Sequence, residues 1–289
     1  MSVRLAVRED AARLEGFLLQ HADGSMFPLG NLRQHGAVPT DHFRSMSFWI
    51  AEMDGQIAGA IGISQEGFVF PQMPEPDRPL TTAMHRSIVG RQLQGIIGPS
   101  EQAHRLIRDL GLSAAPVRHM GDEPQYGLDL QNLTLPDTVD LQLVELKEGH
   151  RDLVTEWRIQ FMREVIGSGP QTAREKAVAD VEGFLAMNTH RLLLRSGDPV
   201  SMTGFNSALP EIVQIGAVFT PPAFRRQGLA RAAVAMHLSE AREHGVRRAV
   251  LSAANTSAAR AYEAIGFRRI GDTSMIIFDG PQQVGPCPV

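Results

Sequence analysis

The stretch VFTPPAFRRQGLA, residues 218–230, decides the fold prediction for this chain. It overlaps the end of an apolar run, 211–220, that is typical of a buried strand and that stops at two consecutive prolines. Apolar residues at helical spacing follow, and they predict a helix over about 228–243. The sequence thus predicts a strand, a tight loop and a helix in immediate succession.

This arrangement presents unpaired backbone N–H groups to an anion. The first N–H groups of a helix have no partner within it, and the helix dipole adds partial positive charge there. Gly228 has no side chain to block a close approach, and Arg225, Arg226 and Arg231 add full positive charges around it. The pattern predicts a phosphate or pyrophosphate site. A solvated, basic helix start is the alternative.

The composition does not indicate a general nucleic-acid or membrane binder. The 289 residues are 43% hydrophobic and 21% charged, with a formal net charge of −4. No apolar run reaches the roughly 18 residues that a membrane helix needs, and the first ten residues lack the apolar core of a signal peptide. The single cysteine, Cys287, has no partner for an internal disulfide, and no metal-site motif is present. We therefore expect a cytoplasmic protein without a metal.

The pattern along the chain indicates two related halves. Each half has a strand-like run, then helical spacing, then a hairpin. The first strands begin 138 residues apart, at residues 3 and 141, and the hairpin turns lie at Asp54-Gly55 and at 197–199. The link is expected within 133–140. Because this succession is common, an unrelated α/β first half is the alternative.

The quoted stretch resembles the cofactor-binding pattern of the GNAT family, the acetyl-CoA-dependent N-acetyltransferases. The family pattern is Arg/Gln-x-x-Gly-x-Gly/Ala, and Arg225, Gly228 and Ala230 match it. A GNAT subgroup carries a Tyr-Thr-Pro-Pro element before the loop, and here Phe219 stands in place of the tyrosine.

A second stretch, NTSAARAYEAIGFRRI at 255–270, resembles the family's second cofactor region. Its Asn255, Tyr262 and the Gly-Phe pair at 266–267 fall at the family's spacing. The two motifs occur in the family's order, about 30 residues apart, with a predicted helix and strand between them. The resemblance covers about 141–280 well and 1–130 weakly.

The resemblance implies an α/β fold with a mixed, mostly antiparallel sheet, flanking helices and two tandem GNAT-like halves. It implies a degenerate domain over 1–135 and a catalytic domain over 141–285. The pantetheine arm of acetyl-CoA, the implied co-substrate, would lie between two splayed strands. The implied cofactor-binding residues are Val218, Phe219, Thr220, Arg225, Arg226, Gln227, Gly228, Leu229, Ala230, Arg231 and Asn255.

The resemblance also implies an acyltransferase that moves an acetyl group directly to a primary amine of a small molecule, amino acid or peptide. Tyr262 stands where the family often has the acid that protonates the departing thiolate; a packed aromatic is the alternative. Glu211 begins the central strand, where the family sometimes has a base, although a surface carboxylate is the simpler interpretation. Asn255 would bond the cofactor or only cap its helix.

Two further alternatives concern the whole chain and its first half. A non-catalytic acyl-CoA-binding or sensing module is the second function class, and the chain could be a monomer or a homodimer. In the first half, we expect the counterpart of the cofactor loop within 91–112. That segment has Gly95 and Gly98 but no Arg-x-x-Gly-x-Gly/Ala pattern, so a degenerate copy and a single cofactor site are predicted.

Overall fold

The computed structural model describes residues 2–42, 45–75, 78–165, 167 and 169–287, which fold into two compact units. Unit 1 consists of Met1–Pro124 and Gly271–Val289, and unit 2 consists of Gln125–Ile270. None of the helices in this described part of the chain is long and apolar enough to cross a membrane.

Unit 1 is a mixed sheet with four helices. Its strands are β1 (Ser2–Leu5), β2 (Met46–Met53), β3 (Gln56–Ser64), β4 (Phe68–Gln72), β5 (Gln92–Pro99) and most of β12 (Arg268–Gln283). Its helices are α1 (Ala11–Gln20), α2 (Ala22–His35), α3 (Arg78–Ser87) and α4 (Ser100–Asp109). The strands pair in the order β1-β2-β3-β4-β5-β12, and only β4 and β5 run parallel.

Unit 2 repeats this arrangement. Its strands are β7 (Leu141–Glu145), β8 (His190–Arg195), β9 (Asp198–Ala208), β10 (Ile212–Phe219), β11 (Arg248–Ser252) and the end of β6 (Val117–Asp129). Its helices are α5 (Arg151–Glu164), α6 (Pro170–Met187), α7 (Leu229–Glu243) and α8 (Thr256–Glu263). The order is β7-β8-β9-β10-β11-β6, and only β10 and β11 run parallel.

The two units therefore share one order of elements and one pattern of strand directions, which confirms the prediction of tandem halves. Each sheet is completed by the last strand of the other half of the sequence. Residues 125–129 of β6 pair with β11, and residues 273–283 of β12 pair with β5. The two compact units therefore do not coincide with the predicted sequence domains, 1–135 and 141–285. The boundaries of those sequence domains stay a prediction.

Two layers of helix cover the unit 2 sheet. Val213 and Ile215 of β10 pack with Val234 and Leu238 of α7 on one face. On the other face, α5 and α6 pack through a second buried cluster that includes Trp157, Phe184, Leu192, Met202, Ala217 and Phe219. Because side chains alternate along a regular strand, the four odd-numbered residues 213–219 would share one face, so the change of cluster between Ile215 and Ala217 marks an irregularity in β10.

Two details differ from the expectations. The patterns at 267–270 and 274–278 are each typical of a short strand and predict two strands, but residues 268–283 form the single strand β12, because the chain stays extended through Gly271-Asp272. The second hairpin turns at Ser196-Gly197, where both φ angles are positive (55° and 89°), and β9 begins at Asp198. The first hairpin turns at Asp54-Gly55 as predicted.

Candidate functional site

The site is built where β10 separates from β11. The two strands are paired in parallel only from Ile212↔Arg248 to Gln214↔Val250. Beyond Gln214, β10 runs on to Phe219 and pairs with no strand of the described residues on its β11 side, whereas Leu251 and Ser252 of β11 stay paired with β6. We call this point of separation the fork. It leaves a backbone edge open, as the resemblance implied.

A bulge bends β10 just beyond the fork. The register with β9 shifts between Gly216↔Gly204 and Phe219↔Met202, and Ala217 has φ 52°. A positive φ is unusual for a residue with a side chain, and an added residue in one strand increases its local twist. The bulge thus helps to turn the end of β10 away from β11.

The loop after β10 presents a run of unpaired donors. Within the described residues, the backbone N–H groups of residues 226–231 have no hydrogen-bond acceptor. The first bond of α7 is made by the N–H of Ala232, which donates to the carbonyl of Gly228 over 3.0 Å. Six consecutive donors at the start of a 15-residue helix form a site for an anion.

Gly228 and Arg226 give this loop its shape. Gly228 has φ 74° and Arg226 has φ 62°, so both lie in the left-handed region. A Cβ at Gly228 would lie 3.4 Å from Nη2 of Arg231, which places that guanidinium beside the glycine. The Nε of Arg231 is buried without a hydrogen-bond partner among the described residues. The positive charge of Arg231 is therefore available to a ligand.

Arg225 closes the loop with its side chain. Its Nε donates to the carbonyl of Thr220 over 2.9 Å, and its Nη2 donates to Oε2 of Glu164 at the end of α5 over 2.7 Å. Its guanidinium also lies 5.7 Å from the centre of the Phe219 ring. Arg225 therefore stabilises the shape of the loop. Its contact with the cofactor stays a prediction.

Four other residues that were predicted to bind the cofactor lie in the loop, at the start of α7 or in β10. The Oε1 of Gln227 accepts from Arg195 over 2.7 Å, and Leu229, the first residue of α7, is buried against Leu193 and Val200. Phe219 is buried against Trp157, whose ring centre is 6.0 Å away. Val218 is half-buried at the open edge of β10.

The second motif forms the start of α8, directly after β11. Asn255 caps this helix, since its Oδ1 accepts from the N–H of Ala258 over 2.9 Å. The capping role that the sequence allowed is thus observed. Tyr262 is 8% exposed, in edge contact with Phe267 at 6.0 Å between ring centres. Both α7 and α8 begin after the carboxyl ends of the two parallel strands, which is where ligands bind in α/β sheets.

Glu211 lies just before β10, at the end of the strand away from Val218. It is exposed, immediately before the stretch in which β10 and β11 are paired, and its carbonyl accepts from the N–H groups of Arg247 and Arg248. Val218 is seven residues further along the strand, about 23 Å at a rise of about 3.3 Å per residue. The base role of Glu211 stays a prediction, and this position gives it no support.

The groups present fit a cofactor with a diphosphate and an extended polar arm. The loop offers backbone N–H groups, a glycine that leaves space and the orphaned Nε of Arg231. The open edge of β10 offers backbone groups to an extended chain, as an added strand would use them. These features lie in continuous sequence, 215–231.

In unit 1, side chains of the unit itself lie at the position that corresponds to this site. The N–H of Met73, at the end of β4, donates to Oε1 of Gln102 on α4 over 2.6 Å. A Cβ at Gly98 of β5 would lie 3.1 Å from Cδ of Pro71, so β4 and β5 stay close beyond their paired residues. The end of β4 is thus covered by Gln102 and lies close to β5.

The unit 1 counterpart of the loop is also in a different place from the predicted one. The segment 91–112 forms β5 and α4, which correspond to β11 and α8. The connection that corresponds to the loop joins β4 to α3 and has the sequence MPEPD, 73–77, of which residues 76 and 77 lie outside the described part of the chain. Its two prolines lack N–H groups and its two acidic residues repel anions, so its composition does not favour a phosphate site.

Sequence reasoning did not identify three polar side chains near the fork. They are His190 on β8, Asn206 on β9 and Gln214 on β10, which we call the polar row. Asn206 is the extra residue of a second bulge, because Gln214 pairs with Ser207 and Ile215 pairs with Phe205. Only the strand register brings these residues to one face, so no local motif could have indicated them.

Comparison with known proteins adds a family and a fold. Residues 151–267 match the model of the family described as Acetyltransferase (GNAT) family. No relative was found among curated proteins.

Several solved structures are similar over the whole chain. A Drosophila protein is 13% identical, with 95% of this chain and 98% of that chain covered and a TM-score of 0.66. A tandem GNAT protein from the clavulanic acid biosynthesis pathway is 14% identical (99% and 100% covered, TM-score 0.56). A GCN5-related N-acetyltransferase from Sphaerobacter thermophilus is 16% identical (99% and 96% covered, TM-score 0.56). At these identities the likeness shows the fold alone.

Proposed function

We propose that the chain is an acetyl-CoA-dependent N-acetyltransferase, because residues 151–267 match the model of the Acetyltransferase (GNAT) family. Its acceptor is a primary amine of a small molecule, an amino acid or a peptide. The observation that carries the proposal is the continuity of the open β10 edge with the six unpaired N–H groups of residues 226–231.

The chain's own residues divide the work of binding. The N–H groups of 226–231 and the guanidinium of Arg231 would hold the pyrophosphate of the co-substrate. The backbone of β10 around Val218 would align the pantetheine arm along the open edge. When bound, acetyl-CoA supplies the activated acetyl group. Arg225 contributes by fixing the loop to Thr220 and Glu164.

Two proton movements complete the reaction. The acceptor amine must lose a proton, and ordered water at the fork is our proposal for its path, because Glu211 is exposed at the opposite end of β10 from Val218. The hydroxyl of Tyr262 is our proposed donor to the departing sulfur. The ordinary pKa of a tyrosine lies close enough to that of a thiol for proton transfer to be nearly balanced.

The experiment that tests this proposal is a screen of amines with release of free thiol from acetyl-CoA as the readout. Amine-dependent thiol release, with acetylated amine found by mass spectrometry, supports the transferase. CoA binding measured by calorimetry without thiol release from any amine would favour the second candidate, a non-catalytic acyl-CoA-binding module. The exposed position of Glu211, the residue predicted to be the base, favours that second candidate.

A further inference from the structure

The polar row crosses three strands on the sheet face that packs against α6. His190 pairs with Gly204, which in turn pairs with Gly216. A Cβ at Gly204 would lie 2.1 Å from Cδ2 of His190, and a Cβ at Gly216 would lie 2.0 Å from Nδ2 of Asn206. The imidazole and the amide thus occupy the space that two glycines leave free.

The three side chains have hydrogen-bonding capacity that the protein does not use. The Nε2 of His190 and the Oε1 of Gln214 are buried without a partner among the described residues, and His190 is only 1% exposed. The amide of Asn206, which is exposed, has no recorded partner there either. A buried polar atom without a partner is costly. The ring of Phe184 stacks on that of His190 with 3.5 Å between the ring centres, so Asn206 and Gln214, which are less buried, are the members of the row that a ligand would contact.

The unused groups are polar but uncharged. Burial lowers the pKa of His190 well below its usual range, so its ring is neutral near pH 7. On the helices that cover this face, Arg158 and Asp180 are paired with each other over 2.7 Å. Thr189, beside His190, contacts its Nδ1 at 3.0 Å. A complementary ligand therefore offers hydrogen bonds rather than several charges.

The row also lies at the right point for an acceptor. Gln214 is the last β10 residue paired with β11, so its backbone marks the fork, and Asn206 lies over Gly216, two residues further on. The α6 side is opposite the face on which α7 packs. An amine that approached from this side would meet the open edge of β10 without crossing the anion loop.

We propose that the polar row is the acceptor subsite, and that it selects primary amines with a hydroxyl or carbonyl group close to the amine over hydrocarbon amines of equal size. This assignment rests on the acetyl transfer proposed above. A site built to hydrogen-bond a substrate group rejects an analogue that lacks it, because the site's polar groups are then left unpaired. Gln214 accepts through Oε1, and the Asn206 amide both donates and accepts.

The first test compares matched amines such as ethanolamine and propylamine, with kcat/KM referred to the free-base fraction of each. We expect the full-length protein to prefer the hydroxylated amine at least tenfold. Asn206→Ala and Gln214→Leu should each reduce that preference about tenfold while the Kd for CoA stays unchanged. Gln142→Leu, an exposed glutamine on β7, is the matched control and should keep the preference.

A second variant tests the geometry directly. Gly216→Ala would put a methyl group where the Asn206 amide lies, and its backbone needs no left-handed φ, so the expected effect is displacement of that amide. Gly216→Ala should lower the preference as much as Asn206→Ala does. In the Asn206→Ala background, the same change should add no further loss.

The outcomes separate the acceptor assignment from the proposed function. Thiol release with both members of each amine pair at equal kcat/KM would overturn the assignment and leave the transferase standing. CoA binding with no turnover of any hydroxylated amine would overturn it as well. Failure to bind CoA would overturn the proposed function itself, and the acceptor subsite with it.

Discussion

At the residue scale, one short motif performs two tasks. Arg225 is engaged with Thr220 and Glu164, while Gly228 and the N–H groups around it remain open. The charge around the loop therefore serves partly to hold its shape. The ion pair between Arg225 and Glu164 is about 40% exposed on both sides (42% and 43%), so alone it contributes little stability.

Gly228→Val should raise the Kd for CoA at least tenfold, about 1.4 kcal/mol. The branched side chain would enter the space beside Arg231 and strain a residue with φ 74°. Gly245→Val is the control, since Gly245 has φ 96° and open space around it but lies at the other end of α7. Equal CoA affinity in both folded variants, measured by calorimetry, would refute the loop assignment.

Tyr262→Phe should lower kcat on the order of 10²-fold with little change in CoA affinity, because only the proposed proton donor is lost. Tyr126 is the only other tyrosine in the chain, and its hydroxyl donates to Glu263 over 3.0 Å. Tyr126→Phe therefore controls for loss of a buried hydroxyl. Steady-state rates of Tyr262→Phe within threefold of the parent would reduce Tyr262 to a packing role.

Some features of individual residues were predictable from the sequence and others were not. The left-handed Gly228 and the cap at Asn255 follow from local chemistry and were predictable. Asn206 and Gln214 were not, because their unused hydrogen-bonding capacity depends on a bulge and on the strand register. Long-range pairing decides which groups remain unpaired, and a local pattern carries no information about it.

At the element scale, two helices begin beside one pair of parallel strands. The strand, loop and helix from β10 to α7 were predictable because prolines and a glycine mark the boundaries. The joined strand β12 was not, because Gly271 has the composition of a turn but an extended backbone. The position of the unit 1 loop was not predictable for a related reason, since 91–112 contains Gly95 and Gly98 whereas the connection between β4 and α3, 73–77, has no glycine.

Asn255→Ala should lower the free energy of unfolding by about 0.5–2 kcal/mol, because α8 loses the acceptor for the N–H of Ala258. Asn255→Asp keeps that acceptor and should retain most of the stability. If Asn255 also binds the cofactor arm, both variants weaken CoA binding, because both lack the amide donor. Urea unfolding together with calorimetry separates the two roles, and unchanged stability of Asn255→Ala would contradict the cap.

At the scale of the whole molecule, the two units share one arrangement of strands and helices but differ at the end of the first parallel strand, β4 or β10. Unit 1 uses Gln102 to satisfy the end of β4, whereas β10 keeps its edge free in unit 2. The duplication was predictable from the spacing of strands and hairpins. The exchange of last strands was not, since sequence periodicity does not show which sheet a strand joins.

Acid should destabilise the protein through two buried histidines. Burial lowers the pKa of His190 well below its usual range and that of His237 to about 3, whereas both titrate near 6.5 when unfolded. The unfolded state therefore binds protons that the folded state does not. The free energy of unfolding should fall as the pH drops below about 6.5, by up to about 1.4 kcal/mol per pH unit for each histidine.

Urea unfolding between pH 7.5 and pH 5 measures this dependence. His237→Phe removes one of the two groups and keeps a ring to stack on Phe205, whose centre is 3.9 Å from that of His237. This variant should show a shallower pH dependence, and the exposed His244→Gln should not. A stability that stays constant from pH 7.5 to pH 5 would contradict the account of buried neutral histidines.

A calorimetric titration of the full chain with CoA tests the single cofactor site most directly. We expect one CoA bound per chain, because 226–231 offers converging N–H groups, whereas the sequence of 73–77 offers prolines and acidic residues. We also expect Gly228→Val to weaken this single binding event at least tenfold. Two CoA molecules bound per chain with similar affinity, or no binding at all, would contradict the single cofactor site.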